Sequence, residues 1–122
     1  MIASYLATYN SYKSIFFFSS SSKGSGKHWF VLFLESTDTL QVFDSLGVKK
    51  DLILKHIPKY AKKVIANTSA VQAASSSTCG QFCCYFIMHR YLSLDLAFDD
   101  LLNAIFTSDT SVNEREVQDF LS

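Results

Sequence analysis

Apolar positions gather in short continuous runs in the first half of the chain and in helix-spaced groups in the second. Ser14-Ile15-Phe16-Phe17-Phe18 predicts a short buried strand. The first dozen residues before it carry no decisive pattern. The serines at 19–22, followed by Lys23-Gly24-Ser25-Gly26-Lys27, have little to bury and predict a loop. Trp29 to Leu34 is an unbroken apolar run, the pattern of a strand buried on both faces. Glu35-Ser36-Thr37-Asp38 reads as a turn, Thr39 to Phe43 as a second strand, and Asp44-Ser45-Leu46-Gly47 as its end. Strands this close predict an antiparallel hairpin. A turn centred on Ser36 sets His28 opposite Asp44. One centred on Thr37 makes them diagonal neighbours on one face, and a centre between residues separates them onto opposite faces.

Helical signals follow. Asp51 to Ile57 reads as a short helix stopped by Pro58, the single proline. Val64 to Ala66 reads as a strand, and Asn67 to Thr78 as a small-polar connection containing Gln72. Thr78-Cys79-Gly80-Gln81 matches a capping box, with Thr78 as N-cap. Phe82 through Met88 is apolar on every side, which predicts a helix buried all round. Leu94 to Phe106 is amphipathic, with Leu94, Ala97, Leu101 and Ile105 as one stripe. Asn113 to Leu121 carries Val117, Phe120 and Leu121, and Ser111 with Glu114 gives a second capping-box match. The order predicts an α+β domain: a sheet containing antiparallel strands, packed on a buried central helix.

Length and composition narrow the picture. With 122 residues the expectation is one domain over 1–122. The chain is 48% hydrophobic and 15% aromatic, which supports a core and excludes disorder. Eleven basic residues balance eleven acidic ones. A formal net charge of zero argues against nucleic-acid or membrane-surface binding by the domain as a whole. No apolar run approaches the roughly 18–20 residues of a membrane span. The three cysteines all fall between Cys79 and Cys84, so no disulfide framework fits, and a reducing, intracellular compartment is expected. Lys49, Lys50, Lys55, Lys59, Lys62 and Lys63 could attract DNA phosphates. A solvated helix face is the plainer reading of that stretch.

Cys79 is the first candidate for chemistry. As the first helical residue it would sit where unpaired backbone N–H groups and the helix dipole favour a thiolate. Gly80 leaves the backbone open beside the sulfur. Against this stands the plain reading of a buried cysteine as a small hydrophobe, which Cys83 and Cys84 keep. Among the histidines, His89 lies roughly 15 Å along the same helix from Cys79, and His56 sits among lysines. His28 heads a buried strand, and the hairpin brings Asp44 to its flank. Thiolate, imidazole and carboxylate form a Cys-His-Asp arrangement. Cys79 and Cys83, four apart, have no second pair of ligands spaced to complete a zinc site, so no metal is expected.

His28-Trp29, Phe43-Asp44-Ser45-Leu46-Gly47, Gln72 and Cys79-Gly80-Gln81-Phe82-Cys83-Cys84 resemble, in order and spacing, the adenain-like cysteine proteases. These are the adenovirus maturation protease and its Maverick/Polinton and adintovirus relatives, of one clan with the SUMO-specific proteases. The resemblance covers roughly residues 24 to 90. It implies a papain-like, SUMO-protease-like core with Cys79 as nucleophile, His28 as general base and Asp44 as the acidic member. Gln72 matches the oxyanion-hole residue, and Trp29 with Gly80 the substrate groove. The implied activity is cleavage of viral or capsid precursor polypeptides, after Gly, in the host nucleus, the cytoplasm or the virion. Family members carry more chain before the histidine, so this domain is expected to be N-terminally short. The disulfide-linked peptide cofactor of adenovirus proteases has no matching cysteine outside Cys79 to Cys84, and no cofactor is expected. The lysine stretch is the one candidate site for an activating peptide or DNA. Two alternatives stand beside this reading: a deubiquitinase or SUMO-type isopeptidase, and a degenerate, non-catalytic binding domain.

Overall fold

The strand-forming runs of the N-terminal half line up in chain order in one sheet. The computed structural model describes residues 2–8, 14–21, 27–36, 38–48 and 62–122. Strands β1 (Ile2–Thr8), β2 (Ser14–Ser21), β3 (Lys27–Leu34) and β4 (Thr39–Phe43) pair antiparallel, and β5 (Lys63–Ala66) adds parallel to β4. Three helices follow: α1 (Cys79–Leu92), α2 (Phe98–Ile105) and α3 (Thr110–Leu121). The architecture is α+β.

Alternation along β3 and β4 divides the core in two. Val31, Phe33 and Phe43 face the helices, where they join Phe82, Phe86, Phe98, Leu101, Phe106 and Val117. Phe43 stacks on Phe86 with ring centroids 4.5 Å apart and on Phe106 at 5.6 Å. Phe30, Leu32, Leu40 and Val42 form the second cluster on the opposite face. Burial on both faces is what the unbroken run Trp29–Leu34 predicted. The β3–β4 register pairs Leu34 with Leu40 and Val31 with Phe43, a turn centred on residue 37. His28 and Asp44 are therefore diagonal neighbours on one face.

Several expectations are corrected. The serine tract is not all loop: β2 runs through Ser21, with Ser19 opposite Trp29 and Ser20 opposite His28. Ladder pairing uses backbone groups that serine has like any other residue. Helix α1 is not buried all round, since Gln81, Cys84, Met88 and Leu92 are exposed along one side. Their spacing is that of a single helical face. The amphipathic segment starts as a helix at Phe98, not Leu94. The buried Arg90 guanidinium donates to the carbonyls of Ser93, Leu94 and Leu96, which holds that stretch off a helical path. Phe98 and Leu101 are its buried residues, while Ala97 is exposed. The last helix begins at Thr110 and is capped by Asp109, whose carboxylate accepts from the N–H groups of Ser111 and Val112. The expected helix at 51–57 lies outside the described residues.

Candidate active site

Two adjacent residues of β3 turn to opposite faces, His28 toward Asp44 and Trp29 toward the start of α1. His28 belongs to the face of Phe30, with the two rings 6.4 Å apart. Trp29 belongs to the face turned toward the helices and packs against the main core cluster. The Cδ1 atom of Trp29 lies 3.7 Å from where a Cβ on Gly80 would be. The indole thus faces the first turn of α1 across the space that a side chain at Gly80 would enter. That distance is ordinary van der Waals contact, so Trp29 does not by itself exclude a side chain at position 80.

His28 Nε2 meets Asp44 Oδ2 at 2.8 Å. This hydrogen bond to the carboxylate raises the His28 pKa above its ordinary 6.5, against partial burial, which works the other way. Asp44 is itself buried and held on three sides. Its Oδ1 accepts from Leu46 N–H at 2.9 Å, its N–H donates to Asn67 Oδ1 at 2.9 Å, and its carbonyl accepts from Asn67 Nδ2 at 2.6 Å. The turn after it closes through Gly47, whose φ of +88° suits the left-handed region that glycine enters freely. Gly47 N–H donates to the Asp44 carbonyl.

Cys79 is the first residue of α1 and is buried. Cys79, Cys83 and Cys84 are all thiols. Burial pushes the Cys83 thiol well above its usual range, with electrostatic repulsion from neighbouring Cys79, Asp44 and Cys84 adding to the shift. Cys83 is therefore held as a neutral thiol at neutral pH. Thr78 precedes the helix, but the predicted capping box does not form. Its side chain takes no N–H of α1, and Gln81 is exposed. The Thr78 hydroxyl donates instead to the Glu114 carboxylate of α3, at 2.8 Å to Oε2 and 3.0 Å to Oε1.

Gln72 is fully buried. Its Oε1 accepts from the Ser45 hydroxyl at 2.5 Å, and its Nε2 donates to Ser76 at 3.0 Å to the carbonyl and 2.9 Å to Oγ. Backbone N–H groups of Val71 and Gln72 donate to the Ser45 carbonyl. The residue after Asp44 therefore holds the segment that carries Gln72. Lys62 and Lys63 are exposed, while Lys49, Lys50, Lys55 and Lys59 lie outside the described residues. Among the described residues no three His, Cys, Asp or Glu side chains gather to hold a metal ion, and no helix is long and apolar enough to cross a membrane.

Sequence reasoning singled out His28, Asp44, Gln72 and Cys79 but missed Asn67, Ser76, Arg90 and Glu114. Asn67 and Glu114 act on partners reached by folding, Ser76 and Arg90 largely on near neighbours in the chain, and a lone polar residue carries no periodicity. The only legible hint was the cluster of small polar residues between Asn67 and Thr78.

Comparison with known proteins bears on what this arrangement is. A family model described as adenovirus endoprotease matches residues 54–121. That stretch contains Gln72 and Cys79, while His28 and Asp44 precede it. The chain is also similar to a protein named "Protease" from Bovine adenovirus 7, 29% identical over 119 aligned residues. The match covers 79% of this chain and 59% of that relative, so the chain spans well under two thirds of the relative's length.

Proposed function

The chain belongs to the adenovirus endoprotease family, and from that premise we propose that it is a cysteine endopeptidase that processes viral precursor proteins. Cys79 is the nucleophile, His28 the general base, Asp44 the carboxylate that orients it, and Gln72 a donor to the oxyanion. The observation that carries this reading is the 2.8 Å bond from His28 Nε2 to a buried, immobilised carboxylate, on the strand whose next residue, Trp29, faces the first turn of α1 at Gly80.

Chemically, the bond to Asp44 occupies Nε2 and leaves Nδ1 as the nitrogen that takes the thiol proton. Asp44 holds the ring and stabilises the imidazolium without taking a proton itself. The Cys79 thiolate attacks the scissile carbonyl, the oxygen of the tetrahedral intermediate draws on the Gln72 amide and the Cys79 N–H, and His28 returns the proton to the leaving amine. Water then hydrolyses the thioester by the same base. Cys83, held neutral by burial, stays a core residue.

The test is hydrolysis of Gly-containing peptides by the purified chain, with iodoacetamide labelling in parallel. Cys79→Ser should abolish hydrolysis with the fold intact, and Cys79 should label ahead of Cys83. His28→Ala removes a general base worth about 10²–10⁴-fold, and Asp44→Asn should cost less than that. Hydrolysis surviving in Cys79→Ser or His28→Ala protein would end this reading.

A further inference from the structure

Helix α3 grips the segment between β5 and α1 at both ends. Asn113, buried in the first turn of α3, donates through Nδ2 to the Val71 carbonyl at 3.0 Å. Its neighbour Glu114 accepts from Thr78. The first contact is one residue before Gln72 and the second one residue before Cys79. Between them runs an unbroken line of side-chain hydrogen bonds: Ser45 to Gln72, Gln72 to Ser76, Ser76 to Thr78, Thr78 to Glu114.

The direction of that line is dictated from its far end. An ionised carboxylate only accepts, so the Thr78 hydroxyl proton must point to Glu114. Thr78 Oγ1 is then left as acceptor, and it takes the Ser76 proton at 2.9 Å. Ser76 Oγ, its proton committed, offers a lone pair to Gln72 Nε2. Glu114 also draws the Thr78 side chain away from the capping position, where its oxygen would claim a first-turn N–H of α1.

We propose that Glu114 is a positioning residue: acting through Thr78 and Ser76, it fixes the Gln72 amide that serves the oxyanion. This rests on the assignment of Gln72 as an oxyanion donor. As the reaction proceeds, the Nε2 N–H held by Ser76 Oγ is the one that turns to hydrogen-bond the developing oxyanion, while the other stays on the Ser76 carbonyl. Of the hydrogen-bonded line from Gln72 to Glu114, only Gln72 is assigned to the substrate, so Glu114 should influence the transition state and leave ground-state binding alone.

The experiment is a double-mutant cycle between Glu114→Ala and Gln72→Ala on peptide hydrolysis. Loss of one oxyanion donor is worth about 10²–10³ in kcat, and Glu114→Ala should forfeit about tenfold of it with KM unchanged. In a Gln72→Ala background the same change should have little further effect. Thr78→Val, close in shape but lacking the hydroxyl, should match Glu114→Ala, and Glu114→Gln, whose carbonyl oxygen still accepts, should recover most of the rate. Iodoacetamide labelling of Cys79 should not change. Independently of turnover, the Gln72 side-chain amide resonances should shift in Glu114→Ala and Thr78→Val and stay near wild type in Glu114→Gln. Additive losses, or amide resonances unmoved in Glu114→Ala, would overturn the proposal. Absence of Cys79-dependent hydrolysis in the wild type would instead count against the peptidase reading, and the resonances would still decide the role of Glu114.

Discussion

His28 and His89 are pulled in opposite directions by their surroundings, and the pH dependence of stability follows from both. The bond to Asp44 raises the His28 pKa above 6.5. Its contribution is therefore fully present below 6.5 and fades as pH rises through the raised folded value. His89 lies between Tyr85 and Phe120, with ring centroids 4.5 and 4.8 Å away and its Nε2 buried without a partner. Burial lowers its pKa. Its neutral form favours the folded state above 6.5, and that stability is lost as pH falls through the lowered folded value. Denaturant unfolding across this range should show Asp44→Asn losing stability mainly on the acid side of neutrality relative to wild type. His89→Phe should flatten the loss on further acidification. An identical pH profile in wild type and Asp44→Asn would show that the bond does not hold the imidazolium.

At this scale the sequence was readable where distance along the chain was short. His28 and Asp44 are 16 residues apart across a tight hairpin, so turn arithmetic could place them on one face. The turn centre at 37 realised the diagonal arrangement. Asn67 meets Asp44 across 23 residues and Arg90 meets Gln41 across 49. No local pattern encodes such meetings. Arg90 is the clearest case: a charged residue that is 1% exposed, with its charge also over the Phe33 ring at 5.6 Å.

Among the elements, hydrophobic runs and stripes located the pieces well, and polar caps located their ends poorly. The run Trp29–Leu34 had to be a strand because both of its faces are buried, and β4 covers Thr39–Phe43 as read. The first capping box fails because the Thr78 hydroxyl donates to Glu114 of α3. The second fails because Asp109, two residues before Ser111, is the cap of α3 and takes the Ser111 hydroxyl as well. The turn leaving β4 supplies a prediction of its own. A Cβ on Gly47 would come within 2.9 Å of the Thr68 carbonyl oxygen, at a φ of +88°. Gly47→Ala should cost about 1–2 kcal/mol from the left-handed backbone alone, with relief of the contact adding to it. Because Gly47 N–H donates to the Asp44 carbonyl, the change should lower kcat as well as Tm. A variant of wild-type Tm and rate would show that this turn neither strains nor positions Asp44.

For the whole molecule, the open question is what approaches Cys79. The indole of Trp29 would stand at van der Waals distance from a Cβ on Gly80, one residue past the proposed nucleophile. If the ring walls the approach to the sulfur on the side of β3, a substrate between wall and thiol would have little width for a Cβ. Glycine at the cleaved position is the preference expected of an extended peptide and of the tail of a folded ubiquitin-like protein alike. What separates those two is how far recognition extends. A folded partner needs a docking surface of about 800 Å² per side, whereas an extended peptide needs only the groove around the thiol. The expectation is cleavage of short Gly-containing peptides with no folded module attached. An eight-residue peptide library run beside ubiquitin and SUMO C-terminal probes measures this directly. Trp29→Ala should widen the approach, so that peptides with alanine at the cleaved position gain on those with glycine in kcat/KM. A glycine preference unchanged in Trp29→Ala would remove the indole as its source. Rapid reaction with a folded probe and none with peptides would shift the substrate from extended precursors to ubiquitin-like conjugates.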